Sequence, residues 1–346
     1  MRRQVQYRNV ATPMRPRFFI TGSLALLVLL AVPHVSQTQI PPSAVLQQDN
    51  PSTIKMTVGL VVLHATTENQ KGVPVPGLNK ENFQVFEDGI AQRIEFFGHG
   101  DIPVTVGLVV DGSGSMGSKR SDVISAARTF VESSNANDEM FVVNFNEHVR
   151  FGLPEDVPFT SHAAPLQLAI ALSPTAGETA LYDAIAAGLE HLKKGNRDKK
   201  VLIVISDGGD NASSHTLKQI TKLAVESDAV IYTIGLFDES DADRNPGVLK
   251  SLARTTGGEV FLPETIGDLV PVCARIARDI RNQYAIAYTP TNSNQDGGYR
   301  SILVKANAPG RDHLVVRTRP GYYAPTAQPR SSPRTAPADK QPGKRQ

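Results

Sequence analysis

The residues best suited to chemistry are oxygen-bearing side chains in short loops that follow or precede predicted elements. Asp111, Ser113 and Ser115 are spaced by two along a glycine-containing loop directly after an apolar run, so a tight turn can point all three inward. Thr179 stands just before a predicted helix, and Asp207 follows another apolar run. These two carboxylates and three hydroxyls form a hard-ligand set that suits Mg²⁺ or Mn²⁺ in octahedral geometry, with waters in the remaining positions, whereas Ca²⁺ usually recruits more carboxylates.

The segments around these loops alternate between predicted strands and predicted helices. Continuous apolar runs predict buried strands, and apolar residues on one helical face predict helices. The strands are expected at 104–110, 140–145, 201–205, 229–236 and 259–262, and the helices at 121–134, 179–194, 215–227, 246–256 and 266–282. This alternation predicts an α/β fold with a doubly wound, Rossmann-like, mostly parallel sheet flanked by helices. Such sheets bind ligands outside the carboxyl ends of their strands, where the three loops would meet.

Both flanks of the α/β region are rich in predicted strands. Residues 53–100 contain a strand at 54–63 and a hairpin whose turn, around Asp88-Gly89, has the Asp-Gly signature. On the other side, strands are predicted at 284–290, 299–306 and 313–319. Since neither piece alone buries enough surface, we expect 53–100 and 284–323 to pack together as a smaller β-sandwich-like domain.

The candidate ligands resemble the metal-ion-dependent adhesion site of von Willebrand factor A-type (VWFA) domains. The family pattern is D-x-S-x-S, then a Thr, then an Asp, and the same order is formed here by Asp111, Ser113, Ser115, Thr179 and Asp207. The sequence contexts TALYDA and VLIVISDG make the match more specific than a D-x-S-x-S motif alone. The resemblance implies a VWFA domain over about 101–283.

The resemblance also implies a role for each ligand. Ser113 and Ser115 would ligate the ion directly, Thr179 directly or through water, and Asp111 and Asp207 largely through water. One position would stay open for an acidic side chain, Asp or Glu, of a partner protein. Mostly neutral direct ligands would leave the ion electrophilic, so an incoming carboxylate gains more. The implied function is an exported, adhesion-type protein-binding module and not an enzyme.

The flanks resemble the exported bacterial subgroup of this family, which extends the resemblance to about 53–324. Residues 77–89 (GLNKENFQVFEDG) match its GL-x-K-x-x-F-x-V-x-E-D-G stretch, and residues 319–324 (RPGYYA) match its R-x-GYYA ending. That subgroup has no generally assigned activity that the resemblance could imply for this chain. One departure is Glu178, where the family often has Gly; its carboxylate could add to the metal shell, occupy the open position or point to solvent.

Other classes of function fit the same residues. In a structural component of the envelope, the ion would only staple the three loops together. Residues 112–117 match G-x-G-x-x-G after a strand, but Asp111 would place a negative charge where a dinucleotide needs its pyrophosphate. Metal-assisted hydrolysis would need a base beside the ion, such as Glu178 or Asp210. Three histidines are predicted to be surface residues: His148, His191 and His215.

The two ends of the chain differ in composition from its middle. Residues 1–37 hold no acid and five Arg, all before an apolar run of 15 residues, which fits a cleaved signal peptide or an uncleaved N-terminal membrane anchor. Residues 38–52 are predicted as a linker, and the Pro-rich 324–346 as a disordered tail. We therefore expect export to the periplasm or the cell exterior.

Charge and cysteine content exclude several kinds of protein. The net charge is +2, but 1–37 carry +5 and 324–346 carry +4, so the middle of the chain is −7. A net acidic body is a poor binder of phosphates, which argues against a nucleic-acid partner. The single cysteine excludes a disulfide framework and a cysteine-based zinc site. The sequence makes no prediction of the oligomeric state.

Overall fold

The computed structural model describes residues 59–237, 244–311 and 313–326. The strands, in chain order, are β1 Val61–Glu68, β2 Phe83–Glu87, β3 Ile90–Gln92, β4 Ile94–His99, β5 Val104–Asp111, β6 Glu139–Phe145, β7 Val149–Phe151, β8 Lys199–Ser206, β9 Val230–Gly235, β10 Val260–Phe261, β11 Tyr284–Tyr288, β12 Tyr299–Ala306, β13 Val315–Arg317 and β14 Gly321–Tyr323. The α-helices are α1 Arg120–Glu132, α2 Ala163–Ala171, α3 Leu181–Leu192, α4 Leu217–Glu226, α5 Pro246–Thr256 and α6 Leu269–Arg281. Within these ranges no helix is long and apolar enough to cross a membrane.

Six strands form a central sheet in the order β10-β9-β8-β5-β6-β7. Neighbouring strands run parallel, except that β7 pairs antiparallel with β6. Every residue of β5 is buried, as expected for a central strand covered on both faces. Helices α1, α2 and α6 share an apolar core with one face of the sheet, and α3, α4 and α5 with the other. The predicted doubly wound, mostly parallel α/β fold is confirmed.

The flanking strands form two four-stranded antiparallel sheets. Their orders are β13-β1-β11-β4 and β14-β12-β2-β3, so each sheet mixes strands from before and after the α/β region. The two sheets share one apolar core, to which Leu63 and Ile286 contribute from the first sheet and Val85 and Val304 from the second. This shared core explains why the flanks form a single sandwich, since a lone four-stranded sheet would leave one apolar face uncovered.

The predicted Asp-Gly hairpin is confirmed between β2 and β3. Asp88 and Gly89 have φ angles of 46° and 80°, the left-handed values that a two-residue type I′ turn requires. Glu87, just before the turn, is buried and accepts a hydrogen bond from the hydroxyl of Tyr322 at 3.0 Å. The two flank motifs found in the sequence therefore meet inside the sandwich.

Several predicted boundaries are wrong. The strand predicted at 54–63 begins at Val61 and continues to Glu68, while 54–58 lie outside the described residues. The helix predicted at 266–282 begins as a 3₁₀ turn over Ile266–Asp268 before α6. Neither β7 nor α2 is predicted from the sequence. The strand has three residues, and the helix is apolar on its exposed side as well, so it lacks the one-sided periodicity that marks a helix.

His191 is wrongly predicted to lie at the surface. It is 8% exposed, and its ring lies 4.4 Å from that of Phe141 and 4.6 Å from that of Phe151, centroid to centroid. Its position follows from the helix period, because residue 191 comes two turns after the buried Ala184 on the same face of α3. His148 is exposed and His215 is partly buried.

The described chain continues past the predicted start of the tail. Ala324 is 6% exposed, and its amide donates to the carbonyl of Gly298 at 2.9 Å. Thr326 forms a β-bridge with Asp296. Residues 324–326 therefore belong to the sandwich. The remainder of the predicted tail, like the predicted signal or anchor at 1–37 and the linker at 38–52, lies outside the described residues.

A cluster of charged side chains joins the sandwich to the α/β region. The Nη2 atom of Arg317, in β13, lies 2.9 Å from Asp279 of α6, 3.2 Å from Glu68 of β1 and 3.2 Å from Glu259 beside β10. The hydroxyl of Tyr232 donates to the same oxygen of Asp279 at 2.5 Å. Burial alone would lower the pKa of Arg317, but the carboxylates around it, Asp279 first, raise that pKa above its usual range. One guanidinium thus neutralises acids from both parts of the fold.

The same junction gives the fold a dependence on pH. Burial first, and then the charges of Lys199 and Arg319, lower the pKa of His64 from 6.5 to about 3. Below pH 6.5 the unfolded chain therefore binds a proton at His64 that the folded chain does not bind. The free energy of unfolding thus decreases as the pH falls from 6.5 towards 3. Between pH 7.5 and pH 4.5, we expect the free energy of unfolding to fall by ~2–3 kcal/mol less in His64→Gln than in the wild type, as measured by urea denaturation. The exposed His148→Gln is the control, and equal losses in all three proteins would contradict the assignment.

Candidate functional site

The first site loop leaves the carboxyl end of β5 and turns sharply. The amide of Gly112 donates to the carbonyl of Phe145 at 2.6 Å, and a Cβ at Gly112 would lie 2.7 Å from the carbonyl oxygen of Pro174, so a side chain does not fit there. The carboxylate of Asp111 folds over the turn and accepts a hydrogen bond from the amide of Ser113 at 2.8 Å. The turn thus fixes both side chains at the edge of the sheet.

The second site loop leaves the neighbouring strand β8 and bonds directly to the first. The hydroxyl of Ser206 donates to Oδ2 of Asp111 at 2.6 Å. The hydroxyl of Ser115 donates to Oδ2 of Asp207 at 2.7 Å, while Oδ1 of Asp207 accepts from the amide of Gly209 at 3.0 Å. Because β5 and β8 are adjacent parallel strands, their carboxyl ends bring these two loops into contact.

Four of the five predicted ligands therefore form one connected cluster. The hydroxyl oxygens of Ser113 and Ser115 lie 3.2 Å apart, and Ser115 bridges to Asp207. Asp111 joins the cluster through the amide of Ser113. Asp111, Ser113 and Asp207 are 3–5% exposed, whereas Ser115 is only partly buried. The cluster is thus reachable from the side on which Ser115 lies.

Thr179, the fifth predicted ligand, is held beside the cluster through its backbone. Its amide donates to Oδ1 of Asn211 at 2.8 Å, and its carbonyl accepts from the amide of Asn211 at 3.0 Å. The amide of Gly114 donates to the carbonyl of Gly177 at 3.4 Å, which ties the Thr179 segment to the first site loop. The Thr179 side chain is 8% exposed. The third loop is therefore attached to both of the others.

The electrostatics of the cluster favour a bound cation. The pKa of Asp111 is raised to about 6: burial is the largest cause, hydrogen bonds from Ser206 and Ser113 offset part of its effect, and the charge of Asp207 adds to the rise. Two carboxylates thus stand close together in a poorly solvated place. A positive ion placed between them would favour the ionised form of Asp111.

The donor set fits a hard divalent ion. Its atoms are hydroxyl and carboxylate oxygens, which Mg²⁺ prefers, and its two carboxylates are fewer than Ca²⁺ sites usually supply. Among the described residues, no three His, Cys, Asp or Glu side chains gather as a metal site. Any ion at this edge would thus depend on serine and threonine hydroxyls. Ser113, Ser115 and Thr179, with Asp111 and Asp207, are the side chains that would hold it.

Sequence reasoning missed three residues of this region. Ser206 is fully buried and links the two loops. It stands at a strand end immediately before Asp207, and this position could have indicated its role in the site. No sequence pattern indicates that Asn211 would hold Thr179. Glu147 lies against Gly177, where a Cβ would meet the Glu147 carboxylate and the φ of 93° also favours glycine. Glu178 is exposed.

The geometry disfavours the dinucleotide interpretation. Backbone amides of the loop would have to bind phosphate, but the Ser113 amide already donates to Asp111. Of the two bases that hydrolysis could use, Asp210 accepts hydrogen bonds from the hydroxyl of Ser213 and the amide of Tyr182, and Glu178 is exposed. In the described part of the chain, neither hydroxyl of the serine pair bonds a histidine.

Comparison with known protein families identifies the α/β region. The family model for the von Willebrand factor type A domain matches residues 105–270. The chain contains a von Willebrand factor type A domain. Its sheet and helices, from β5 to the start of α6, occupy the matched residues, and the sandwich strands lie on either side of the VWA domain. No curated protein compared with the chain gives a significant match.

Solved structures similar to this chain include VWA proteins from bacteria. A von Willebrand factor type A protein from Catenulispora acidiphila is 14% identical, with 76% of this chain and 74% of that chain covered and a TM-score of 0.46. The vWF domain of the type V pili tip protein Mfa5 from Porphyromonas gingivalis is 15% identical over 52% of this chain and 95% of its own, with a TM-score of 0.44. An aerotolerance-related membrane protein from Bacteroides fragilis is 15% identical over 51% and 98%, with a TM-score of 0.42.

Proposed function

We propose that this protein is an exported protein-binding module whose VWA domain holds Mg²⁺ and captures an acidic side chain of a partner protein. The observation that supports the proposal best is the hydrogen-bonded cluster of Asp111, Ser113, Ser115 and Asp207, formed by loops from two adjacent strands. Thr179 would complete the ligand set from the third loop. Mn²⁺ and Ca²⁺ are the alternative ions.

The exposure of the cluster fits capture of a partner's carboxylate. Asp111, Ser113 and Asp207 are buried, while Gly114 is exposed and Ser115 is partly buried. The side from which solvent reaches the cluster thus carries the neutral hydroxyl of Ser115 and no carboxylate of the cluster. A dication held mainly by neutral direct ligands keeps more of its charge for an incoming Asp or Glu than one surrounded by carboxylates.

The location that we propose is outside the cytoplasm. The basic and apolar composition of residues 1–37 supports export, either as a cleaved signal peptide or as a retained membrane anchor. We propose the periplasm or the cell exterior, where the module would meet its partner.

A purely structural role for the ion is the alternative. The three loops are already joined by direct hydrogen bonds, among them Ser206 to Asp111 and Gly114 to Gly177. Loops that are joined in this way do not need an ion to stay together, which supports partner capture over a purely structural ion.

The proposal is tested by capture from an envelope extract, with wild type and Asp111→Ala as baits, in Mg²⁺ and in EDTA. We expect a partner that is retained by the wild type in Mg²⁺ and by neither the variant nor the EDTA sample. A second extract, whose carboxylates have been converted to amides, should yield no capture. Capture that persists in EDTA, or from the amidated extract, would show that the module binds by other means.

A further inference from the structure

Helix α2 presents an exposed apolar face next to the candidate metal site. Leu168 and Leu172 are 58% and 74% exposed and lie one helical turn apart, so they stand on the same face. We call these two residues the α2 leucine pair. Residues 157–177 contain no Asp, Glu, Lys or Arg, although such residues make up 20% of the chain. An uncharged surface with two exposed leucines has the composition of the centre of a protein interface.

The end of α2 is anchored to the first site loop. Arg120, at the start of α1, donates to the carbonyl of Ala171 at 3.2 Å and also to the carbonyl of Ser173. The carbonyl of Pro174 is the atom that a Cβ at Gly112 would meet at 2.7 Å. From Leu172 to Pro174 the chain spans at most ~7 Å. The C-terminal end of α2, where Leu172 lies, is therefore close to the first site loop.

The charges around the cluster indicate which side a partner can use. The carboxylate of Glu147 lies against Gly177, and Glu178 is exposed beside it. An acidic partner segment that extended across Gly177 would meet two more negative charges. Across α2 the segment would meet no further negative charge. A second contact of the partner is therefore most favourable on the apolar surface of α2.

We propose that the partner segment carries an Asp or Glu for the metal site and, within about five residues of it, a large apolar side chain that docks on the α2 leucine pair. An extended chain advances ~3.3 Å per residue, so five residues are enough to cover the step from Leu172 to Pro174 and from Pro174 to the first site loop. This inference rests on the proposed function, since it assigns the second contact of the same partner.

The experiment is selection from a random peptide library displayed on phage, against the full chain in Mg²⁺. We expect the enriched peptides to combine an Asp or Glu with a Leu, Ile, Met or Phe within five residues. The same selection against a Leu168→Ser/Leu172→Ser double variant should enrich acidic peptides without the apolar residue. Both leucines are exposed, so the variant keeps the buried packing of α2.

The strength of the second contact is measured with one enriched peptide, synthesised and titrated by fluorescence anisotropy. We expect the double variant to bind it about tenfold more weakly, which corresponds to ~1.4 kcal/mol. Leu303→Ser is the matched control, because Leu303 is 53% exposed in the sandwich strand β12, and it should bind the peptide like the wild type.

Each unexpected result of these experiments contradicts a different part of the proposal. Enriched peptides that lack Asp and Glu would overturn the proposed function and this inference with it. Acidic peptides without an apolar preference, or equal binding by wild type and double variant, would overturn this inference alone. Sedimentation of the wild type as a dimer and of the double variant as a monomer would show that a second copy covers the α2 leucine pair, which also overturns it.

Discussion

Asp111→Ala is expected to abolish detectable Mg²⁺ binding in isothermal titration calorimetry, a loss of at least ~100-fold in affinity. The carboxylate is 3% exposed, lies next to the charge of Asp207 and orders the turn through the amide of Ser113. Its removal takes away half of the negative charge of the cluster and the acceptor that fixes Ser113. Outer-shell partners of metal ligands alone typically account for ~10–100-fold in affinity.

Two further variants separate metal binding from folding. Asp111→Asn keeps an oxygen that can accept from the Ser113 amide but carries no charge, so it should fold in EDTA and still fail to bind Mg²⁺. Asp122→Ala removes a carboxylate from the first turn of α1, outside the cluster, and should bind like the wild type. Unchanged Mg²⁺ affinity in both Asp111 variants, with circular dichroism confirming the fold, would remove Asp111 from the site.

Arg317→Ala is expected to destabilise the protein by ~3–5 kcal/mol, because it leaves buried carboxylates without their counter-ion. Asp279 is 4% exposed and would keep the hydrogen bond from Tyr232 and the more distant charge of Lys199, while Glu259 would keep its contact with the half-exposed Arg275. Because these acids belong to α6 and to the β10 edge, the loss loosens the α/β region from β13 of the sandwich. Urea denaturation at pH 7.5 measures the change in free energy of unfolding.

A surface pair provides the matched comparison. Arg128 lies 2.7 Å from Glu132 on α1, with both side chains more than half exposed, so Arg128→Ala should cost less than ~1 kcal/mol. Adding Asp279→Asn to Arg317→Ala should recover part of the loss, since the uncompensated charge disappears. Equal small effects at Arg317 and Arg128 would mean that the junction does not depend on the charge cluster.

The sequence by itself determined which loop residues are candidate metal ligands and that strands and helices alternate around them. Asp111, Ser113 and Ser115 are readable because they follow an unbroken apolar strand and are separated by small residues, which is a local pattern. The same holds for the strand before Asp207 and for the Asp88-Gly89 hairpin, where the turn requires left-handed φ values. The apolar periods of two residues in strands and 3.6 residues in helices involve only residues close together in the chain, so they can be recognised in a single sequence.

Only the tertiary structure decided which loops touch and through which atoms. Ser206 bonds to Asp111 across 95 positions, and Asn211 holds Thr179 across 32. Helix α2 escaped prediction because its solvent side is apolar. The helix period places His191 on the buried face of α3, but only the packing of that face shows that Phe141 surrounds its ring together with other aromatic side chains. Local periodicity specifies which face of an element is apolar, whereas the distances between elements arise when those faces pack together.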